Sequence, residues 1–239
     1  MIIGSAILVL LICVFAIITY SIKGFTWVSL VLFSVLSVAT LFSLPTLLGH
    51  TGHLFVHQRD GRAVLLLTHI LTAIPCTLLG PALIYSAFRK SYTSLHRNLG
   101  KCYVIFTLLS AVLAMPLSMT NGGGIVGRLG FSTMAVLWFI FTLLAYTSIR
   151  NGDTKTHERY MLRSYAMTFA FVNVNVTFHY IGAYNMVNFD PMALKIFQSW
   201  VSWIINLLFV EAFLLVRSKK LFAHIGRSRS HTTTVNVGK

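Results

Sequence analysis

Acidic residues are scarce in this chain. Five Asp and Glu stand against nineteen Lys and Arg in 239 residues, and charges of both signs make up only 10%. A soluble domain carries roughly 25%, so there is too little charge here to cover a water-facing surface. The same scarcity excludes a membrane cyclase, whose cavity needs several acids; Glu211 is the only acid inside a long apolar stretch. The three cysteines, Cys13, Cys76 and Cys102, lie in apolar segments and form neither a disulfide framework nor a zinc pattern. No lysine sits in the middle of the last apolar stretch, where a retinal Schiff base would need one; Lys195 is near its start. The triple glycine Gly122–Gly124 is not followed by Gly-Lys-Ser/Thr, so it reads as a turn and not as a phosphate loop.

What the chain has instead is long apolar runs. Hydrophobic residues make up 56%, and the mean hydropathy is +0.78. A transmembrane helix needs roughly 20 mostly apolar residues, whereas a membrane β-barrel shows segments of about ten with alternating polarity. The runs here are of the first kind. They predict an all-α polytopic membrane protein, a bundle of seven transmembrane helices at about 2–22, 28–50, 63–88, 96–118, 128–149, 159–182 and 193–216. Residues 1–217 form the bundle, and 218–239 form a basic tail, expected to be disordered and drawn to anionic lipid. Pro75 and Pro81 are expected to bend the third span or to free carbonyls for other partners.

The net charge of +14 does not imply nucleic acid, because the cations flank apolar runs as the positive-inside rule requires. Arg89 and Lys90, then Arg150, Lys155 and Arg159, then Arg217, Lys219 and Lys220 fall on one side of a seven-span chain. That side is assigned to the cytoplasm, giving an N-out, C-in protein of the bacterial inner membrane. Arg59 and Arg62 run against the rule. The first span has no basic residue ahead of it, so it reads as a helix and not as a signal peptide.

Ionisable groups inside a membrane are costly, which makes them the first candidates for function. His96 in Leu95-His96-Arg97-Asn98-Leu99-Gly100, and His157 in His157-Glu158-Arg159-Tyr160-Met161-Leu162-Arg163, each open a helix from the basic side. Two imidazoles from different helices can hold a b-type haem. Gly100, one turn beyond His96, leaves room for a flat ring. Arg97, Arg159 and Arg163 can neutralise its propionates, given arginine's preference for carboxylates. His69 and His179 offer a second, outer pair, with Asn175 one turn before His179 to orient it. His157 and His179 are ~33 Å apart along a helix at 1.5 Å per residue, long for direct transfer between two haems. The competing account is that these histidines contact headgroups or cap backbones, with the arginines only enforcing topology. His50, His53 and His57, at spacings of three and four, can share a helix face as an external metal site; the alternative is a solvated loop. Glu211 is expected to pair with Arg163 or Arg97.

The stretch from His69 to about Tyr165 resembles the small bacterial membrane proteins grouped as domain of unknown function 2306. The matching features are His69, Gly80-Pro81, Leu95-His96-Arg97 with Gly100 and Tyr103, Arg128-Leu-Gly-Phe131, and His157 through Tyr165. The chain departs from the pattern at Leu83, where a glutamine is expected, and lacks an expected arginine late in the sixth span. The resemblance implies architecture more than activity. Ser94-Leu95-His96 with Leu99-Gly100 is also similar to a block of b561-type cytochromes in which the histidine ligates haem, although Asn98 stands where they have Trp.

The first functional expectation is therefore a membrane electron-transfer protein, possessing b-type haem and passing electrons to a quinone, a metal ion or a redox partner protein as a transmembrane oxidoreductase. The alternatives are a haem-free transporter or metal-handling permease, and a non-catalytic membrane subunit.

Overall fold

The computed structural model describes residues 61–88, 94–180 and 190–235, with side chains placed at 61–87, 94–170, 190 and 192–218. The first two expected spans and the His50, His53 and His57 cluster lie outside the described residues. Five helices follow: α1 (Arg62–Phe88), α2 (Ser94–Met119), α3 (Gly124–Arg150), α4 (Thr154–Tyr180) and α5 (Pro191–Val235). Among the described residues there is no strand. Four stretches, Arg62–Ala87, Ser94–Met119, Gly124–Arg150 and Met192–Ser218, are long and apolar enough to cross a membrane.

α1 to α4 close a ring. Each packs on its neighbour in sequence, α4 packs back on α1, and α5 lies against α3 and α4. The pairs α1/α3 and α2/α4 therefore face each other across diagonals. Large aliphatic side chains such as Ile105, Leu109, Val112, Ile205 and Leu208 point outward, while small residues fill the inside: Ala73, Ala111, Ala135, Ala145, Ala166 and Ala170. This is the packing expected where lipid covers the outside and small residues let backbones approach.

α4 is the least apolar of the five helices. Its sequence holds His157, Glu158, Arg159 and Arg163, and the unbroken run Ser164–Thr168 is buried by its neighbours. Protein, and not lipid, surrounds that run, so it tolerates hydroxyls.

The ends of the helices follow local chemistry. Between α3 and α4 only three residues turn the chain. Gly152 takes φ +80, a left-handed conformation that favours glycine. Asp153 Oδ1 then accepts the backbone N–H of Thr156 at 3.0 Å, capping α4. Asp190 does the same for α5 through the N–H of Ala193, 3.0 Å, with Pro191 at the first helical position. α5 runs on through Val235. No proline interrupts it.

Candidate functional site

His96 on α2 and His157 on α4 lie at the same end of the ring, on the α2/α4 diagonal. Both are half-buried. His157 Nδ1 is 2.8 Å from the carbonyl oxygen of Ala145. A carbonyl only accepts, so Nδ1 carries the proton and Nε2 the lone pair of a neutral ring. His96 Nδ1 is 2.6 Å from Ser86 Oγ, whose own hydrogen goes to the Leu83 carbonyl at 2.9 Å. The same tautomer results. Tying Nδ1 to a protein oxygen is how ligating histidines are oriented. Among the described residues a Cβ built on Gly100 would meet nothing within 4 Å. Arg97 and Arg159 are exposed at this end.

Arg163 is committed elsewhere. Its Nε and a terminal nitrogen donate to the two oxygens of Glu211 at 2.5 and 2.8 Å, and its guanidinium lies 5.4 Å from the centroid of the Tyr160 ring. The pairing expected of Glu211 is therefore with Arg163 and not Arg97. Nearer the end of the bundle Arg217 of α5 pairs with Glu158 of α4, and deeper in it Asn206 Nδ2 donates to the Ala166 carbonyl at 3.1 Å. Contacts 158–217, 163–211 and 166–206 set the two helices antiparallel. The sign of the charges reverses between the two ion pairs.

Gly80 and Pro81 also gain a physical reading. A Cβ on Gly80 would fall 1.8 Å from the Tyr165 ring; the missing side chain is the seat of that ring. Pro81 has no N–H to offer the carbonyl four residues back, that of Thr77, and the Tyr165 hydroxyl donates to that carbonyl at 3.4 Å. α1 remains one continuous helix through both prolines. Gly130 does for α3 what Gly80 does for α1: a Cβ there would meet the Ser199 backbone oxygen at 2.9 Å.

His69 lies near the other end of the ring. Its Nδ1 donates to the Ser110 carbonyl at 3.0 Å, with Ser110 Oγ at 3.1 Å. His179 belongs to α4, but its side chain and that of Asn175 lie outside the described ones. Among the described residues no cluster of three or more His, Cys, Asp and Glu could hold a metal ion. The sequence reading missed the hydroxyls that fill the ring. Tyr103 is fully buried, 3.2 Å from Ser164 Oγ and 3.0 Å from Thr168 Oγ1. Thr142 lies 2.7 Å from Ser164, Trp138 Nε1 donates to Thr168 at 3.0 Å, and Thr107 donates to Cys76 Sγ at 3.2 Å. The signal was present in the spacing of Tyr103, Thr107 and Ser110 along one helix face.

Apolar helices long enough to span a bilayer, enclosing a small-residue and hydroxyl core, define an integral membrane protein of helical-bundle type. The family model described as predicted membrane protein (DUF2306) matches residues 66–215, and the chain belongs to that family. No curated protein and no solved structure matches it.

Proposed function

We propose that this protein is a membrane electron-transfer protein holding b-type haem between His96 and His157. The observation that carries the reading is the pair of imidazoles on diagonal helices, each with Nδ1 tied to a protein oxygen. Facing helices of a bundle are where cofactors are held. The space at Gly100 among the described residues supports the fit. Arg97 and Arg159 would neutralise the propionates, while Arg163 serves Glu211. When bound, the group supplies one-electron chemistry; the chain's own residues orient it and keep water from it. His69 and His179 would form a second, outer site. Quinone, metal ion or a partner protein would receive the electrons.

The test is an absorption spectrum. Purified, haem-supplied protein should show a Soret band and, after dithionite, sharp α and β bands. His96→Ala and His157→Ala should each remove them, and Gly100→Leu, which fills that space, should weaken binding. Absence of a Soret band ends the reading and leaves a haem-free transporter or a non-catalytic subunit.

The same proposal places seven spans in the bacterial inner membrane, with the N-terminus outside and the His96/His157 end in the cytoplasm. Arg97, Arg150, Lys155, Arg159 and Arg217 support it, since they gather at that end. A periplasm-only reporter should be active when fused after Gly122 and silent after Lys220; the opposite pattern inverts the orientation.

A further inference from the structure

The turn between α2 and α3 collects positive charge. Arg62, the first residue of α1, donates a terminal N–H to the Thr120 carbonyl at 3.2 Å. Arg128, one turn into α3, reaches back through Nε to the Asn121 carbonyl at 3.4 Å. Lys195, one turn into α5, holds its Nζ 2.6 Å from the point where a Cβ of Gly122 would stand. Three helices thus bring one cation each to three consecutive residues, whose Cα atoms are ~3.8 Å apart. The glycines allow the approach. A Cβ on Gly123 would meet the Ile196 backbone nitrogen at 3.3 Å, and one on Gly124 would meet the Met192 methyl at 2.5 Å. The turn therefore lies directly on the start of α5.

Like charges repel, and among the described residues no ion pair engages any of the three. The chain has five acids. Glu158 and Glu211 pair with Arg217 and Arg163, Asp153 caps α4 at the opposite end, and Asp190 accepts the Ala193 N–H. Asp60 lies outside the described residues. Each guanidinium has five donors, of which the turn takes one from each. Carbonyls orient these cations but do not neutralise them; an anion would. In the orientation proposed above, cations at this end also run against the positive-inside rule, so topology does not account for them. The surroundings select the kind of anion. Arg128 and Lys195 reach toward the end of the bundle, as long cationic side chains do to meet headgroups. Beside them Ile125, Leu129 and Met192 are exposed, on two helices that touch. Cations above exposed apolar side chains match a phosphate carried on acyl chains.

We propose that Arg62, Arg128 and Lys195, gathered at Thr120–Gly122, bind the phosphate of one anionic phospholipid, with its acyl chains along α3 and α5 over Ile125, Leu129 and Met192. Arginine's planar fork suits phosphate oxygens, and the ammonium adds a point charge. The bound lipid would neutralise the three cations and tie α1, α3 and α5 together.

The site depends on neither haem nor orientation, so its test and those above fail separately. The full-length chain in detergent is given dioleoyl phosphatidylglycerol or dioleoyl phosphatidylcholine, and native mass spectrometry counts the lipids it retains. One phosphatidylglycerol should be held under activation that strips phosphatidylcholine, and it should raise the melting temperature. Arg62→Gln, Arg128→Gln and Lys195→Gln together should lower the retained fraction at least about tenfold. Lys101→Gln, Arg150→Gln and Lys155→Gln remove the same charge from the other half of the bundle and should leave it bound. Gly122→Leu keeps every charge but occupies the place of the Lys195 ammonium, and should weaken retention severalfold. It carries the test if the triple variant elutes as aggregate. The proposal is overturned if phosphatidylcholine is held as well, if a folded triple or Gly122 variant keeps its phosphatidylglycerol, or if the opposite-half variant loses it equally. It is also overturned if inorganic phosphate at the same concentration stabilises the protein as much, which would make this a site for a free ion.

Discussion

Between α1 and α4 the polar contacts are neutral, buried and shared among many groups; between α4 and α5 they are charged and few. In the ring, Tyr103 has two hydroxyl partners at 3.0 and 3.2 Å, so losing one bond leaves the others in place. In the seam, Arg163 and Glu211 each depend on the other for both of their strong bonds. Neutral hydrogen bonds between membrane helices are worth about 0.6 kcal/mol on average, whereas an uncompensated buried charge costs about 3–5 kcal/mol. The ring is therefore built to tolerate single losses and the seam is not.

The seam should show the largest effect. Glu211→Gln or Arg163→Gln alone should cost about 3 kcal/mol, the lower edge of the buried-pair range, because the side chains are 39% and 21% exposed at the bundle surface. The double variant should cost much less than the sum, read as melting temperature in detergent. Simple additivity would mean the two groups do not pair. Next comes Gly80→Ala. A helix gains about 0.5–1 kcal/mol from Gly to Ala, but the new Cβ meets the Tyr165 ring, and overpacking costs about 1–3 kcal/mol. The net should be destabilising, and the loss should shrink when Tyr165→Leu is added. Gly100→Ala, which meets nothing among the described residues, should instead stabilise haem-free protein by up to about 1 kcal/mol; a loss there would mean something packs on that face.

Tyr103→Phe belongs to the tolerant region and should cost about 1 kcal/mol. A loss as large as that of Arg163→Gln would erase the contrast between ring and seam. The smallest effect is at Asp153. The Thr156 hydroxyl and backbone N–H hold its carboxyl below the usual carboxylate value. A depressed folded value means the cap's contribution is present above the ordinary carboxylate value and is lost as pH falls through the folded one. Asp153→Asn keeps an acceptor and should flatten that acid-side dependence of the melting temperature.

The positions of the five described helices were readable from length and hydropathy, and their bounds moved by only a few residues, apart from two. α4 begins at Thr154, five residues before the expected 159, because Asp153 supplies the cap. α5 continues past the expected end at 216, through Val235. Glu211's partner was readable too, since a lone acid in an apolar helix needs a cation. What was not readable is anything requiring knowledge of which faces meet. Pro81 was expected to bend the span or to free a carbonyl, and it frees that of Thr77; only the position of Tyr165 shows Gly80 to be a seat for its ring. Glu158 looked like part of a histidine cluster until α5 placed Arg217 against it.

The reversed order of charge in the α4–α5 seam bears on how the protein is made. α4 emerges from the ribosome before α5 and is the least apolar of the five helices. On its own it would have to carry Glu158 and Arg163 into lipid without their partners. Arg217 and Glu211 arrive only with the last helix, and they fit in one alignment: a slide of about 8 Å, five to six residues at 1.5 Å each, would set arginine against arginine or glutamate against glutamate. Stable insertion of α4 is therefore expected to depend on the synthesis of its successor. A chain ended at Asp190 should leave α4 exposed to protease on one side of the membrane.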